Sequence, residues 1–259
     1  MSENIYFIGR SFHKFSKSAD FFIEKLEEVF GKVIIKIYPE EEEIEKFTLK
    51  KMKKGYVFVW QNEPYASSLS AIGIKVINIS MYDGVENLND SFWEYLRSTV
   101  HISFCEELHR KLINKGHNSI YTKRKVDYKK NKGYEKNNRL KLFLWERLSD
   151  YLSFEDVSNW INEFPNQENI KLHVHFKNQI RIDEALIFHK NKCNLFELST
   201  SKEEEENNDN YFKKLTESDV FICPRPTEGI GQSLIEALSC GLVAISIDKP
   251  TANEYIKNE

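Results

Sequence analysis

The sequence predicts an α/β chain built as two parallel-sheet domains. Three observations carry this. Short β-rich runs alternate with amphipathic stretches through the first half, a Lys- and Asn-rich stretch interrupts the alternation, and the alternation then restarts. Strands that alternate with helices imply a parallel sheet covered on both faces. A length of 259 residues suits one large domain or two small ones.

Each element follows from its local pattern. Ile5 to Ile8 reads as a first strand. In Ser18 to Phe30, Phe21, Phe22, Leu26 and Phe30 recur at helical spacing, and Gly31 supplies a C-cap. Val33 to Tyr38 is the next strand, and Ile44, Phe47, Leu49 and Met52 mark a charged, exposed helix. Strands follow at Tyr56 to Trp60, Val76 to Ile79 and Val100 to Phe104, then a helix from Glu106 to Asn114 that ends near Gly116. The run from Thr122 to Lys141 is basic, with Asn131, Gly133, Asn137 and Asn138, and reads as a linker. A solvated face and a patch for anionic lipid or phosphate are its two readings.

The pattern resumes with a strand at Leu140 to Trp145 and a helix at Phe154 to Phe164. Ile170 to Phe176 is a strand, and Ala185 to Phe188 and Leu195 to Leu198 are short strands or strand edges. Ser201 to Asn210 is an acidic loop that leads into a helix at Tyr211 to Leu215. A buried strand at Val220 to Cys223, a helix at Gln232 to Ser239 capped by Gly241, and a strand at Leu242 to Ile247 complete the series.

Composition narrows the function classes. Hydrophobic residues make up 41% of the chain and charged residues 30%, as in a soluble protein with a packed core. A net charge of -3 gives no global pointer to nucleic acid. The four cysteines, Cys105, Cys193, Cys223 and Cys240, have no C-x-x-C spacing, lie in or beside apolar stretches and read as buried thiols of a reducing compartment. The N-terminus lacks the charged and apolar regions of a signal peptide, and no apolar run approaches the ~20 residues of a membrane span. The expectation is a cytoplasmic protein.

One segment carries chemistry. It runs from Asp219 through Cys223, Pro224, Arg225, Pro226, Thr227, Glu228, Gly229, Ile230 and Gly231 to Gln232, Glu236 and Leu238, and on to Thr251 and Ile256. A strand ends, a Pro-containing loop follows, and Glu-Gly-Ile-Gly opens a helix. In open α/β sheets, ligands bind beyond the carboxyl ends of the strands. Gly229 and Gly231 let backbone approach a ligand, and the opening turn of a helix suits an anion or a hydroxyl. Glu228 is expected to face the crevice. Glu236 follows eight residues later, about two helical turns on, and is expected on a similar side. Two carboxylates on one rim accept hydrogen bonds from sugar and ribose hydroxyls. The bland alternative is a strand, a turn and a helix with two exposed glutamates.

This segment resembles the retaining glycosyltransferases of family 4. Glu228 and Glu236 reproduce the family's E-x7-E spacing, and the flanking strand, Glu-Gly-x-Gly and Glu-Ala also fit. The resemblance implies two Rossmann-like domains, the GT-B arrangement, with a nucleotide-sugar cleft between them. Residues 1–121 would form the acceptor-side domain, 122–139 a basic linker and 140–259 the donor-binding domain. It implies a retaining transfer of sugar from a nucleoside diphosphate sugar to a glycan or glycolipid acceptor, as in bacterial surface polysaccharide synthesis, with no metal and no other cofactor. By the same resemblance Glu228 contacts the transferred sugar and Glu236 the nucleotide ribose. Gly229, Ile230 and Gly231 meet sugar hydroxyls or phosphates.

The family's diphosphate clamp is an Arg-Lys pair after the first strand of the second domain. Here Arg147 is the candidate and the Lys is missing, so Arg225, with Thr227 beside it in the loop, is the second cation by resemblance. A surface ion pair with Glu146 or Asp150 is the other reading of Arg147. Where the family often has a His after the fourth strand, Tyr82 and Asp83 stand, and an Asp-Gly turn explains them equally. Gly9 and Arg10 follow the first strand on the acceptor side. His173 and His175 share a strand face, where packing explains them better than metal. Family members extend further past Ile256, so the expected second domain is short at its end. A non-catalytic nucleotide-sugar-binding subunit or scaffold of a glycan assembly complex is therefore the alternative, and a nucleotide-sugar epimerase a third reading. The basic linker leaves peripheral contact with the inner face of the membrane open.

Overall fold

The computed structural model describes residues 4–41, 44–126, 139–146, 152–176, 183–184, 196–200 and 208–257. The chain divides into two compact units, Met1–Lys123 and Arg124–Glu259.

The first unit runs β1 (Ile5–Ile8), α1 (His13–Ser16), α2 (Asp20–Phe30), β2 (Ile35–Ile37), α3 (Lys46–Met52), β3 (Tyr56–Trp60) and α4 (Glu63–Ala71). It continues with β4 (Val76–Ile79), α5 (Tyr82–Val85), α6 (Asp90–Glu94), β5 (Val100–Ser103), α7 (Glu106–Asn114) and β6 (Asn118–Tyr121). Its strands are all parallel, in the order β2-β1-β3-β4-β5-β6. The period-2 geometry of a strand divides its residues between two faces. Val57 and Val59 join Tyr6 and Ile8 under Ala66 and Leu69 of α4 and Leu108 and Leu112 of α7. Phe7, Trp60 and Phe104 point to the other face, where Phe22 of α2 packs on Trp60 with ring centroids 5.2 Å apart. Both faces are covered, as a parallel sheet requires.

The second unit contains β7 (Leu140–Glu146), α8 (Phe154–Asn162), β8 (Ile170–Phe176), β9 (Phe196–Thr200), α9 (Asn208–Thr216), β10 (Val220–Cys223), α10 (Gln232–Ser239) and β11 (Val243–Ser246). The strands are again parallel, in the order β11-β10-β7-β8-β9. Phe154, Val157 and Ile161 of α8 cover Leu142, Leu144, Leu172 and Val174. Leu215 of α9 and Leu234 and Ala237 of α10 cover Phe143, Phe221 and Cys223 on the opposite face. These are two Rossmann-like units, the expected fold class.

Several elements end where read: β3, β4, α7, β8, β10 and α10. Gly31 is the left-handed C-cap of α2 at φ 61°, its N–H donating to the Glu27 carbonyl at 2.9 Å. α4 and β6 escaped the sequence reading. α4 has only Ala66 and Leu69 as buried apolar residues in a polar run, too sparse a stripe to show as a period. The Asp-Gly expected as a turn at Asp83 and Gly84 is part of the one-turn helix α5. The linker residues 127–138, the strand expected at Ala185 to Phe188, and Cys193 lie outside the described residues. No helix among the described residues is long and apolar enough to cross a membrane.

Candidate functional site

Strand order locates a crevice within the second unit. The chain leaves β7 toward β8 and β9 on one side, then returns to place β10 on the other. The carboxyl ends of β7 and β10 therefore flank a topological switch point, the usual ligand position in such sheets. The loop after β10 carries Arg225, Thr227, Glu228, Gly229, Ile230 and Gly231. The loop after β7 carries Arg147, which lies outside the described residues.

Glu228 is not an exposed rim carboxylate. It is 4% exposed, and both its oxygens are engaged. The Cys223 thiol donates to Oε1 at 3.2 Å, and Arg225 Nη1 donates to Oε2 at 2.7 Å. Arg225, expected as a cation for phosphate, thus spends its charge on Glu228 in a nearly dry pair whose side chains are 13% and 5% exposed. The Glu228 backbone is held as well. The buried Thr251 hydroxyl donates to the Glu228 carbonyl at 2.7 Å and lies 3.5 Å from that of Gly229.

Gly231, the N-cap that precedes α10, is in the left-handed region, φ 74° and ψ 36°, where a side chain would be strained. Gly229 is not left-handed, so only one of the two glycines is needed for its dihedrals. The Tyr255 ring lies 3.7 Å from where a Cβ on Gly231 would stand. Because α10 begins at Gln232, Glu228 lies in the loop before it, and the two-turn spacing to Glu236 does not describe their relation. Glu236 is inside α10, 7% exposed. Gln232 Nε2 donates to its Oε1 at 3.0 Å, and Arg124 Nη2 lies 3.7 Å from the same oxygen. Burial pushes the Arg124 guanidinium below its usual range, and the charge of Glu236 opposes the shift. Sequence reasoning placed Arg124 in a solvated linker and missed it. Its side chain is 10% exposed.

Glu146, offered as a partner for Arg147, does other work: its Oε2 accepts from the Phe154 N–H at the start of α8. His173 and His175 both pair with the Ser199 hydroxyl, at 2.7 and 2.8 Å, and stack on Phe143. Among the described residues no group of three or more His, Cys, Asp or Glu is placed to hold a metal.

In the first unit the switch point lies between β1 and β3. Arg10 spans it, its Nε donating to the Gln61 carbonyl at 2.8 Å, with Gln61 itself left-handed at φ 49°. The Gly9 N–H donates to Ile37 at 3.2 Å. Tyr82 and Asp83 follow β4 on α5, at the same carboxyl edge. Burial raises the Tyr82 phenol above its ordinary range. Glu63, absent from the sequence reading, is 7% exposed at the start of α4, and burial pushes its carboxyl up.

Residues 198–259 match the family of glycosyl transferases group 1. The matched span contains β10, α10, β11 and both glutamates. No curated protein sequence matches the chain. Among solved structures, the chain is similar to HepE of Anabaena in complex with UDP and glucose, with TM-score 0.66 and 10% identity, covering 99% of this chain and 83% of that one. It is similar to the apo form of the lipopolysaccharide outer core galactosyltransferase WaaB, with TM-score 0.62 and 13% identity over 98% and 84% of the two chains. WaaG, a glycosyltransferase involved in lipopolysaccharide biosynthesis, gives TM-score 0.56 and 12% identity over 97% and 83%. At these identities the likeness speaks to fold, and it agrees with the two-unit architecture. The family match supports a glycosyltransferase.

Proposed function

We propose that this protein is a retaining glycosyltransferase that moves a sugar from a nucleoside diphosphate sugar to a glycan or glycolipid acceptor. The observation that carries the reading is that Glu228 and Gly231 lie in the loop after β10 and Glu236 in α10, which follows it, all inside the family-matched segment. The UDP and glucose bound to HepE support the donor class, and the lipopolysaccharide enzymes WaaB and WaaG support surface glycan as the acceptor class.

In this reading Glu228 contacts the transferred sugar and Glu236 the nucleotide ribose. Gly229, Ile230 and Gly231 present backbone to sugar hydroxyls and phosphate, and Thr227 lines the loop. Arg147 holds the diphosphate, because Arg225 is committed to Glu228. The acceptor hydroxyl attacks the anomeric carbon from the face that the diphosphate leaves. Its proton passes to the departing phosphate oxygen, so configuration is retained. The protein contributes position and preorganised charge. Gly9, Arg10, Tyr82 and Asp83 serve the acceptor side. No metal or cofactor is required, and the reaction takes place in the cytoplasm, at the inner face of the membrane where the acceptor is lipid-linked.

Calorimetric titration of UDP, GDP and their sugars into wild type and Glu236→Ala tests this. One nucleotide should bind, and the substitution should weaken it. A transfer assay with that donor should then release nucleoside diphosphate. Folded protein that binds none of these ligands overturns the reading. Binding without turnover of any donor makes the chain a non-catalytic nucleotide-sugar-binding subunit.

A further inference from the structure

We propose that Arg124 is a positioning residue for the nucleotide site, holding Glu236 ionised and fixed so that it can accept hydrogen bonds from a ribose diol. The inference rests on the reading of Glu236 as the ribose carboxylate.

Two facts carry it. Arg124 and Glu236 come from positions 112 residues apart, yet their side chains are each only 10% exposed and lie 3.7 Å apart. Taking a guanidinium out of water costs several kcal/mol, so a fold that buries one needs a partner for it. The partner here is one of the two carboxylates at the candidate site. The Tyr255 ring lies against Gly231, at the N-terminal end of the helix that carries Glu236.

The chemistry asks for this charge. A buried carboxylate without a counter-charge takes up a proton and then donates, where a sugar hydroxyl needs an acceptor. Two uncompensated carboxylates would also repel a nucleoside diphosphate. In this unit each is offset by its own arginine, Glu228 by Arg225 and Glu236 by Arg124. Gln232 adds a neutral donor to the same Oε1 that Arg124 approaches. The arginine pairs leave the recognition of phosphate to other groups. The signature of Arg124 should therefore be selective for ribose hydroxyls.

The experiment compares UDP and GDP with their 2′,3′-dideoxy analogues on wild type, Arg124→Gln, Arg124→Lys and Glu236→Gln. A hydrogen bond to a charged group contributes about 1.5–3 kcal/mol, so wild type should bind its preferred nucleotide roughly ten- to a hundredfold more tightly than the dideoxy form. Arg124→Gln should erase most of that ratio, and Arg124→Lys should restore part of it. Arg124→Gln with Glu236→Gln should be no worse than Glu236→Gln alone. The ratio is taken within one preparation, so partial unfolding of a variant does not alter it. A wild-type ratio that survives intact in Arg124→Gln overturns the proposal and leaves the nucleotide reading standing. A wild type that binds nucleotide with no preference for the hydroxyls removes the ribose role of Glu236 and the proposal with it. A wild type that binds neither nucleotide removes both readings.

Discussion

The Thr251 hydroxyl donates to the Glu228 carbonyl at 2.7 Å, joining residues 23 positions apart across the end of β10. Thr251 is fully buried, so no water replaces the donor if it is lost. The bond fixes the loop that presents Glu228 and Gly229. Thr251→Val keeps the shape and deletes the donor. A buried carbonyl left without its partner costs about 1–3 kcal/mol. The variant should unfold at lower urea and bind nucleotide sugar more weakly than nucleotide alone. Equal loss for both ligands would show that Thr251 serves stability and not the sugar side of the loop.

Arg225 and Glu228 should be far more sensitive singly than together. Their side chains are 13% and 5% exposed, and removing one partner of such a pair strands the other charge, at a cost of about 3–5 kcal/mol. Arg225→Met and Glu228→Gln should each lower stability strongly, and the double variant should recover part of the loss. Donor binding should not recover in the double variant if Glu228 contacts the sugar. A double-mutant cycle on urea midpoints, with donor titration of the same proteins, reads both effects.

The elements that position the site were legible because their patterns are local. Val220–Cys223 is a short apolar run, and Gln232–Ser239 follows a glycine pair. The glutamates stood out for their spacing and neighbours. What stayed hidden is non-local. Arg124 pairs with Glu236 across most of the second unit, and its sequence neighbours, Lys123 and Lys125, disguise it as one more solvated charge. The Thr251 hydroxyl gains its role from a loop that folds back over 23 residues, and the Cys223 thiol from the irregular loop after β10, neither of which has a period. The pairing of Arg225 with Glu228 was hidden because a guanidinium near a phosphate-binding loop and one near a buried carboxylate look alike in sequence.

The helix after β7 should depend on two carboxylates. Ser153 accepts from the Asp156 N–H at 3.2 Å, and Asp156 accepts from the Ser153 N–H at 2.9 Å, a reciprocal cap on α8. Glu146 adds an acceptor for the Phe154 N–H from the end of β7. Ser153→Ala should cost about 1 kcal/mol. Glu146→Ala should cost more, because the Phe154 N–H is buried. Chemical denaturation of the two variants checks the order, and an equal or reversed order would show that the strand-to-helix contact is not the stronger anchor.

Acidification should destabilise the protein before any carboxylate pair fails. Burial holds His101, His13 and His173 to pKa values of about 4, against an ordinary 6.5. His117 adds to the shift of His101, Arg10 to that of His13, and His175 and Lys214 to that of His173, while Glu197 opposes the last. His117 is itself lowered, by burial and then by Arg97. The folded values lie below the unfolded one, so the unfolded chain binds more protons between pH 6.5 and 4. Stability is therefore full above pH 6.5 and is lost as pH falls through that window, by at most about 1.4 kcal/mol per pH unit for each histidine. The carboxyl of Glu197 is raised by burial, but bonds from Lys171 and Lys214 outweigh this and hold it to about 2. Its contribution is lost only below pH 4.5, so the two windows overlap only at the acid end of the histidine window, and the range above pH 4.5 reports the histidines. Urea midpoints measured from pH 7.5 to 5 should fall with a slope that lessens in His101→Gln. A flat profile over that range would mean that these histidines are not buried in neutral form.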